Sequence, residues 1–177
     1  MRRLIPVLAA VLLAAGTVLT TAGAARVGGT TPHRASCTKE KVFLTVTEES
    51  IRYFVGAPNH LLPGASALLK PKRNDTTILT ACAFPASNVT LLENRGLALT
   101  SRDFSPSGNV TMTPTGNGGN GFTSQLWDFV SVGTSSATFQ NAKTRLFLRV
   151  RSNGPIIGQT VTTGRTATAW TFSRHQI

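Results

Sequence analysis

The sequence is poor in the residues from which catalytic sites are usually built. Its 177 residues include only seven acidic side chains, three histidines and two cysteines. The histidines, His33, His60 and His175, are far apart and form no H-E-x-x-H motif or other metal-ligand spacing. The adjacent Glu48 and Glu49 would point to opposite faces of a strand, so they could not flank one glycosidic bond. We therefore predict that the chain is not an enzyme and holds no metal or cofactor.

Long helical patterns are also missing. After Ala25 no window of 11 or more residues keeps an apolar period of 3.6, and the G-x-S-x-G, G-x-G-x-x-G and P-loop motifs are absent. The chain instead contains short runs of aromatic and β-branched residues bounded by turn formers, such as Val42 to Val46 and Tyr53 to Val55. These runs predict an all-β domain.

The beginning of the chain differs from the rest. A basic start, Met1 to Arg3, precedes a nearly unbroken apolar run from Leu4 to Ala15 and a stretch of small residues around Ala24. This order is typical of a secretory signal peptide, and the apolar run is shorter than the roughly 20 residues that a membrane span needs. We predict a signal peptide over 1–25, a flexible leader over 26–36 and a secreted domain over 37–177, with no transmembrane segment after cleavage.

Positive charge and a pair of cysteines characterise the expected mature chain. Two of the 18 basic residues fall in the signal peptide, so 16 remain against seven acidic residues, a formal net charge of +9. Such a charge attracts anionic partners through its long-range field. Cys37 and Cys82 are the two cysteines, and an even number in an exported chain predicts a disulfide between them.

Three copies of one pattern follow each other along the chain. Each copy has an apolar strand, a turn glycine and a closing motif of two bulky apolar residues spaced two apart, which share one face of a strand. The strands end at Val55, Leu99 and Leu148, the glycines are Gly64, Gly108 and Gly158, and the closing motifs are Cys82-Ala83-Phe84, Trp127-Asp128-Phe129 and Trp170-Thr171-Phe172. We expect Trp127, Trp170, Phe129, Phe172 and Phe84 to be structural core residues.

A copy of this size cannot bury its own apolar face. Three copies of about four strands each should therefore close around a pseudo-threefold axis. The prediction is a β-trefoil of about twelve strands, with repeats at about 41–86, 87–132 and 135–174.

The closing motif of the second repeat resembles that of a known family. Gln125-Leu126-Trp127 is a literal Q-x-W, and the third repeat resembles the ricin-type lectin repeat across its length. In the third repeat Thr168 stands in place of the glutamine, and in the first repeat Thr80 and Cys82 replace both motif residues. The resemblance implies a β-trefoil and a carbohydrate-binding function.

The resemblance also points to three positions where a ligand could bind. Sugar-binding members of the family carry an Asp just after the apolar strand pair, and the matching residues here are Gly56, Thr100 and Arg149. None is acidic, so the usual galactose pocket is not expected. An arginine at this position favours carboxylate, sulfate or phosphate groups.

Basic residues surround Arg149 in the sequence. Lys143, Arg145, Arg149 and Arg151 alternate with Leu146, Leu148 and Val150, so on a continuous strand they would share one face. Together with Asn153 they form the candidate ligand-binding set, for an anionic glycan or another polyanionic surface. Lys70, Lys72 and Arg73 form a second basic cluster.

The sequence leaves two alternatives open. The basic face could be a solvated strand surface that prevents aggregation. The domain could be a protein-interaction trefoil, such as a protease inhibitor or secreted effector, that uses the loops Ala57 to Gly64 and Thr113 to Gly121. The sequons at Asn74, Asn88 and Asn109 would be used only in a eukaryotic secretory route. Nucleic acid is not an expected partner of a secreted domain, and Phe147 is a single aromatic residue among the basic ones, fewer than a single-strand binding surface uses.

Overall fold

The computed structural model describes residues 36–60, 62–84, 87–116, 119, 121–151 and 154–175. These ranges contain twelve β-strands and the short 3-10 helix Thr123–Gln125, and no helix among them is long and apolar enough to cross a membrane. The expectation of an all-β domain with about twelve strands is confirmed. The predicted signal peptide and nearly all of the predicted leader lie outside the described residues.

Six of the strands close into a barrel. They are β1 (Thr38–Glu48), β4 (Leu79–Phe84), β5 (Val89–Asn94), β8 (Leu126–Ser131), β9 (Ser136–Asn141) and β12 (Trp170–Arg174). Each strand pairs antiparallel with the next in this order, and β12 pairs with β1. Closure gives every barrel strand two partners, so this part of the sheet has no exposed edge.

The other six strands form three hairpins at one end of the barrel. They are β2 (Ile51–Gly56) with β3 (Leu68–Lys70), β6 (Leu97–Thr100) with β7 (Thr111–Pro114), and β10 (Phe147–Arg149) with β11 (Thr162–Gly164). A ring of three hydrogen bonds connects them, in which the N–H of Ala67 donates to Val110 O (2.8 Å), that of Val110 to Val161 O (2.9 Å) and that of Val161 to Ala67 O (2.9 Å). This ring marks the pseudo-threefold axis of a β-trefoil, the predicted fold.

The two tryptophans occupy matching places in the core. Trp127 and Trp170 are both fully buried. The indole Nε1–H of Trp127 donates to the carbonyl of Leu99, and that of Trp170 to the carbonyl of Leu148, each at 3.0 Å. Each tryptophan thereby fixes the hairpin of its own repeat to the barrel.

The first repeat closes in a register that differs from the sequence alignment. Val42, Thr90 and Ala137 are equivalent positions on the opening strands of the three repeats. Their partners on the closing strands are Leu79, Trp127 and Trp170. Leu79 is therefore the counterpart of the tryptophans, and the alignment of Cys82 with them is wrong by three residues. Because side chains alternate along a strand, an odd shift moves Cys82 to the other face.

That other face carries a separate apolar cluster on the outside of the barrel. Its buried members are Cys82, Phe84, Leu91 and Ala98, with Cys37, Val89 and Leu126 packed against them. The predicted disulfide between Cys37 and Cys82 is confirmed, with Cα atoms 5.3 Å apart. It joins the start of β1 to β4.

In the second repeat, the position of the hairpin turn also differs from the sequence alignment. Gly64, Ser107 and Gly158 adopt left-handed backbone conformations, with φ values of 89°, 76° and 78°. Each donates its N–H to the second strand of a neighbouring hairpin at 2.7 Å, to Met112, Thr163 and Leu69 respectively. The equivalent turn residue of the second repeat is therefore Ser107, and the alignment with Gly108 is off by one.

Candidate functional site

The three positions matched to the sugar-binding Asp are equivalent in the structure. Gly56, Thr100 and Arg149 end the first strand of each hairpin, and they pair with Leu68, Thr111 and Thr162. Each of these partners directly follows a residue of the hydrogen-bond ring around the axis.

Their surroundings differ sharply. Gly56 is buried, and a Cβ at this position would lie 2.8 Å from the carbonyl oxygen of Thr76. Thr100 is 1% exposed, and its hydroxyl lies 2.6 Å from that of Thr113. Arg149 is half-buried and lines a pocket of about 440 Å³. The matched position is therefore accessible in the third repeat and covered in the first and second.

We call this cavity the Arg149 pocket. It is formed where the third repeat meets the first, because β1 closes the barrel beside β12. Its lining residues are Val46, Thr47 and Glu48 from β1, Arg149, Val150 and Arg151 at the end of β10, Gly154 and Pro155 beyond them, and Thr166, Ala167 and Thr168 before β12. Polar and charged side chains thus reach it from three separate segments.

The side chain of Arg149 is held in place along its length. A Cβ on Gly164 would overlap its Cδ, so the bare backbone of Gly164 makes room for the arginine stem. Its Nε–H donates to Val150 O (2.9 Å) and its Nη1 to Thr166 Oγ1 (3.0 Å). A guanidinium has five N–H donors. The two hydrogen bonds just given are those that the Arg149 guanidinium makes to the described residues. Its other N–H groups make no hydrogen bond within the described part of the chain and can therefore donate to a ligand.

Arg151 and Glu48 bring further charge to the pocket. Arg151 is exposed, and its Nη2 donates to Thr160 Oγ1 at 3.4 Å. The Glu48 carboxylate lies against Gly154, where a Cβ would come within 2.7 Å of Oε2. The ion pairs found in the described ranges are Arg95–Asp75, Arg145–Asp128 and Arg174–Glu40. Neither arginine of the pocket is neutralised by such a pair.

This arrangement suits an anion that also carries hydroxyl groups. Guanidinium groups bind carboxylate, sulfate and phosphate oxygens through charge-assisted hydrogen bonds. Glu48 can accept hydrogen bonds from ligand hydroxyls, and Thr166 and Thr168 add neutral hydroxyl groups to the lining. Two arginines and one glutamate leave the pocket with a formal charge of +1.

The other predicted site residues lie elsewhere or cannot be placed. Lys143 and Arg145 belong to the turn between β9 and β10, so the strand alternation that would unite them with Arg149 is interrupted. Arg145 forms an ion pair with Asp128, and Lys143 Nζ lies 5.9 Å from the ring centre of Phe104. Asn153 lies outside the described residues.

The second basic cluster is largely engaged by its own neighbours. Lys70 Nζ donates to Asn59 Oδ1 at 2.8 Å, and partial burial lowers the pKa of Lys70. The Arg73 guanidinium lies 4.8 Å from the ring centre of Phe43. Lys72 is exposed.

Sequence reasoning missed Glu48 and Thr166 as pocket residues. Glu48 belongs to the first repeat, and it reaches the third only because the barrel closes β1 against β12. A closed trefoil brings its first and last strands together, so the predicted fold already implied that β1 would lie beside the third repeat. Thr168 was recognised as the replacement for the motif glutamine, but its place in the pocket was not.

The comparisons with known proteins concern the fold. No protein-family model and no curated protein matches the chain. Among solved structures, the designed three-fold symmetric protein ThreeFoil is similar with a TM-score of 0.63 and 17% identity, covering 75% of this chain and 97% of that one. The likeness is one of fold: a β-trefoil.

Two further similar structures are glycan complexes. The Polyporus squamosus lectin bound to Neu5Aca2-6Galb1-4GlcNAc gives a TM-score of 0.57 at 10% identity, over 76% of this chain and 49% of that one. SeviL bound to asialo-GM1 saccharide gives 0.53 at 10% identity, over 77% of this chain and 96% of that one. This chain thus spans about half the length of the Polyporus lectin.

Proposed function

We propose that the chain is a secreted, lectin-like binding module without catalytic activity, and that it binds anionic glycans in the Arg149 pocket. One observation carries the proposal. Of the three equivalent positions, Gly56 and Thr100 are buried, whereas Arg149 lines a pocket of about 440 Å³. That volume lies within the range of roughly 300 to 1,000 Å³ that is usual for small-ligand sites.

The chemistry of the lining selects the class of glycan. Arg149 and Arg151 favour a carboxylate or sulfate, as in uronic, sialylated or sulfated sugars. Glu48 suits the hydroxyl groups of the same sugar and disfavours ligands that are anionic throughout, such as polyphosphate. Similarity to trefoils solved with a Neu5Ac-containing glycan and with the asialo-GM1 saccharide supports a carbohydrate ligand.

Salt distinguishes this pocket from a merely cationic surface. The expected net charge of +9 would attract any polyanion at low ionic strength, and salt screens that attraction. The test is a glycan panel of neutral galactan, polygalacturonate and a sulfated polysaccharide at low and physiological ionic strength. We expect binding to an anionic glycan that persists at the higher ionic strength.

A pair of matched variants locates the site. The double substitution Arg149→Glu and Arg151→Glu should weaken binding to the anionic glycan by about tenfold or more, since a charged hydrogen bond contributes about 1.5 to 3 kcal/mol. Lys39→Glu with Lys41→Glu is the control, because it makes the same charge change on exposed residues toward the other end of β1.

Equal losses in the two double variants would contradict the pocket, and so would an unchanged affinity after the arginine substitutions. A chain that binds no glycan at either ionic strength would contradict the proposed function and favour the protein-interaction alternative.

A further inference from the structure

A break in the three-fold symmetry opens a second pocket at the other end of the barrel. Phe129 and Phe172 follow Trp127 and Trp170 by two residues, and both pack against the main core. Since Leu79 is the counterpart of the tryptophans, the residue that corresponds to the two phenylalanines is Ala81. An alanine therefore stands at the corner of the barrel where symmetry would place a third ring.

The missing ring volume coincides with a cavity. A pocket of about 320 Å³, which we call the barrel-mouth pocket, is lined by the apolar residues Ala81, Ala83, Phe84, Val89, Phe129 and Phe172. The polar residues Thr38, Glu40, Asn88 and Thr90 complete the lining. Barrel mouths are common places for ligand pockets.

This pocket is separate from the Arg149 pocket. Thr38 and Glu40 contribute to the barrel mouth, whereas Val46, Thr47 and Glu48 contribute to the Arg149 pocket, so the two lie toward opposite ends of β1. The six-residue step from Glu40 to Val46, the nearest lining residues of the two pockets on β1, corresponds to about 20 Å of extended strand. A compound of one or two rings bound in the barrel mouth therefore does not reach the Arg149 pocket.

The aromatic residues of the mouth show which group would fit. Phe129 and Phe172 meet edge to face, with ring centres 5.9 Å apart and an interplanar angle of 72°. Phe129 meets Phe139 in the same manner, at 5.6 Å and 75°. This is the arrangement that aromatic rings prefer. A ring at the Ala81 corner would extend the cluster with contacts of the same kind.

We propose that the barrel-mouth pocket binds a small uncharged aromatic compound of one ring or two fused rings. An apolar cavity of about 150 Å³ suffices for benzene, so a pocket of about 320 Å³ accommodates a fused pair. None of the ten described lining residues is a cation, and the Glu40 carboxylate is already paired with Arg174 at 3.2 Å, so a charged compound would lose its hydration without gaining a partner. The ring sits against Phe129 and Phe172, and its polar edge faces the rim.

Indole is a suitable probe, and amide chemical shifts are the measurement. Titration of the folded protein with indole should give saturable shifts for residues that line the mouth, such as Thr90 and Phe84. Ala81→Phe places a ring in the pocket and should weaken indole binding by at least about tenfold. Ala83→Trp, at an exposed lining position, should cover the entrance and act in the same direction even if Ala81→Phe does not fold.

Two controls complete the experiment. Ala169→Phe introduces a phenylalanine at an exposed alanine outside the pocket lining, and it should leave indole binding unchanged. Arg149→Glu should also leave it unchanged, so the result does not depend on the glycan proposal.

Retained indole binding in both Ala81→Phe and Ala83→Trp would overturn the inference. It would also be overturned by an absence of shifts up to about 10 mM indole, or by shifts scattered over the whole surface. If the mouth residues shift on protein dilution without indole, the mouth is a contact between two copies of the chain, and the inference fails.

Discussion

At the scale of single residues, the Arg149 pocket depends on a residue that has no side chain. Gly164 lies on β11 beside the stem of Arg149, and it pairs with Phe147 of β10. Its φ is not in the left-handed region, so the fold does not require glycine there for backbone reasons. The space that Gly164 leaves is used by Arg149. Position 164 therefore controls where the guanidinium sits without carrying any charge of its own.

Gly164→Ala tests this dependence. The added methyl group overlaps Arg149 Cδ, so the arginine must leave its contacts with Thr166 and Val150. We expect binding to an anionic glycan to fall several-fold, at the scale of one lost charged hydrogen bond. Equilibrium titration with the glycan measures the change. Gly133→Ala is the control, because a Cβ there meets its nearest neighbour at 3.9 Å. Equal affinities in the two variants would refute the positioning role.

The two buried tryptophans allow a test of symmetry at the same scale. Trp127→Phe and Trp170→Phe each remove one indole hydrogen bond to a leucine carbonyl and leave a cavity. Each should lower the free energy of unfolding by about 2 to 4 kcal/mol, as expected for a lost buried hydrogen bond plus lost core volume. Denaturant unfolding measures both values. We expect the two losses to agree within about 1 kcal/mol, and a large difference would show that the repeats are not energetically equivalent.

At the scale of secondary-structure elements, the disulfide holds the first strand to the barrel. Cys37 precedes β1 and Cys82 lies in β4, and the bridge closes a loop of 45 residues. Chain-entropy reasoning assigns such a bridge at most about 4 kcal/mol. Cys37→Ser with Cys82→Ser should therefore reduce the free energy of unfolding by up to this amount.

Chemical denaturation with and without reductant checks the disulfide prediction. Reductant should destabilise the parent chain and leave the double serine variant unchanged. A parent chain that is insensitive to reductant, despite complete reduction, would contradict the prediction.

The order of the elements could be predicted from sequence, but the register of the first repeat could not. Three strand–glycine–closing patterns in sequence predicted the trefoil because periodicity and turn chemistry are local signals. In the first repeat, however, Leu79-Thr80-Ala81 and Cys82-Ala83-Phe84 compete as the closing motif, and both place apolar residues two apart. Leu79 is the residue that pairs with Val42 in the barrel, so the first of these two motifs closes the repeat. This contact joins residues that are far apart in sequence, so the local pattern does not show it.

The candidate site, too, could be predicted from the sequence only in part. Alignment of the repeats placed Arg149 at the matched position, and the structure puts a pocket there. Glu48 could not be assigned to it without knowledge of how β1 meets the third repeat. Conversely, Lys143 and Arg145 were joined to Arg149 by assuming one continuous strand, and the turn at Ala142 to Arg145 interrupts it.

At the scale of the whole molecule, the first and last strands are neighbours. β1 pairs with β12, and the N–H of His175 donates to Lys41 O at 2.8 Å. The ends of the barrel can therefore be connected by a short flexible linker. New ends can be placed in the exposed turn between β8 and β9, which lies away from the hydrogen-bond ring.

This adjacency predicts the behaviour of circular permutants. A chain opened between Gly133 and Thr134, with a short flexible linker from His175 to Ser36, should keep the β-rich circular dichroism spectrum and unfold cooperatively, because no buried strand is cut. A permutant opened between Leu99 and Thr100, inside the fully buried β6, is the matched control and should not fold. If both permutants fold equally well, the hairpin strands need not be continuous, and the prediction is wrong.

The ring of hydrogen bonds among Ala67, Val110 and Val161 has a consequence for how such a protein can change over time. In an open array of repeats, a copy can be gained or lost at an end, because each copy contacts only its neighbours. Here each hairpin both donates to one neighbour and accepts from the other, so the circle of bonds is complete at three. Duplication or deletion of one unit would leave buried N–H and C=O groups without partners. Divergence is therefore confined to substitutions and loop changes within a fixed number of repeats, which is where Arg149 and Ala81 differ from their counterparts.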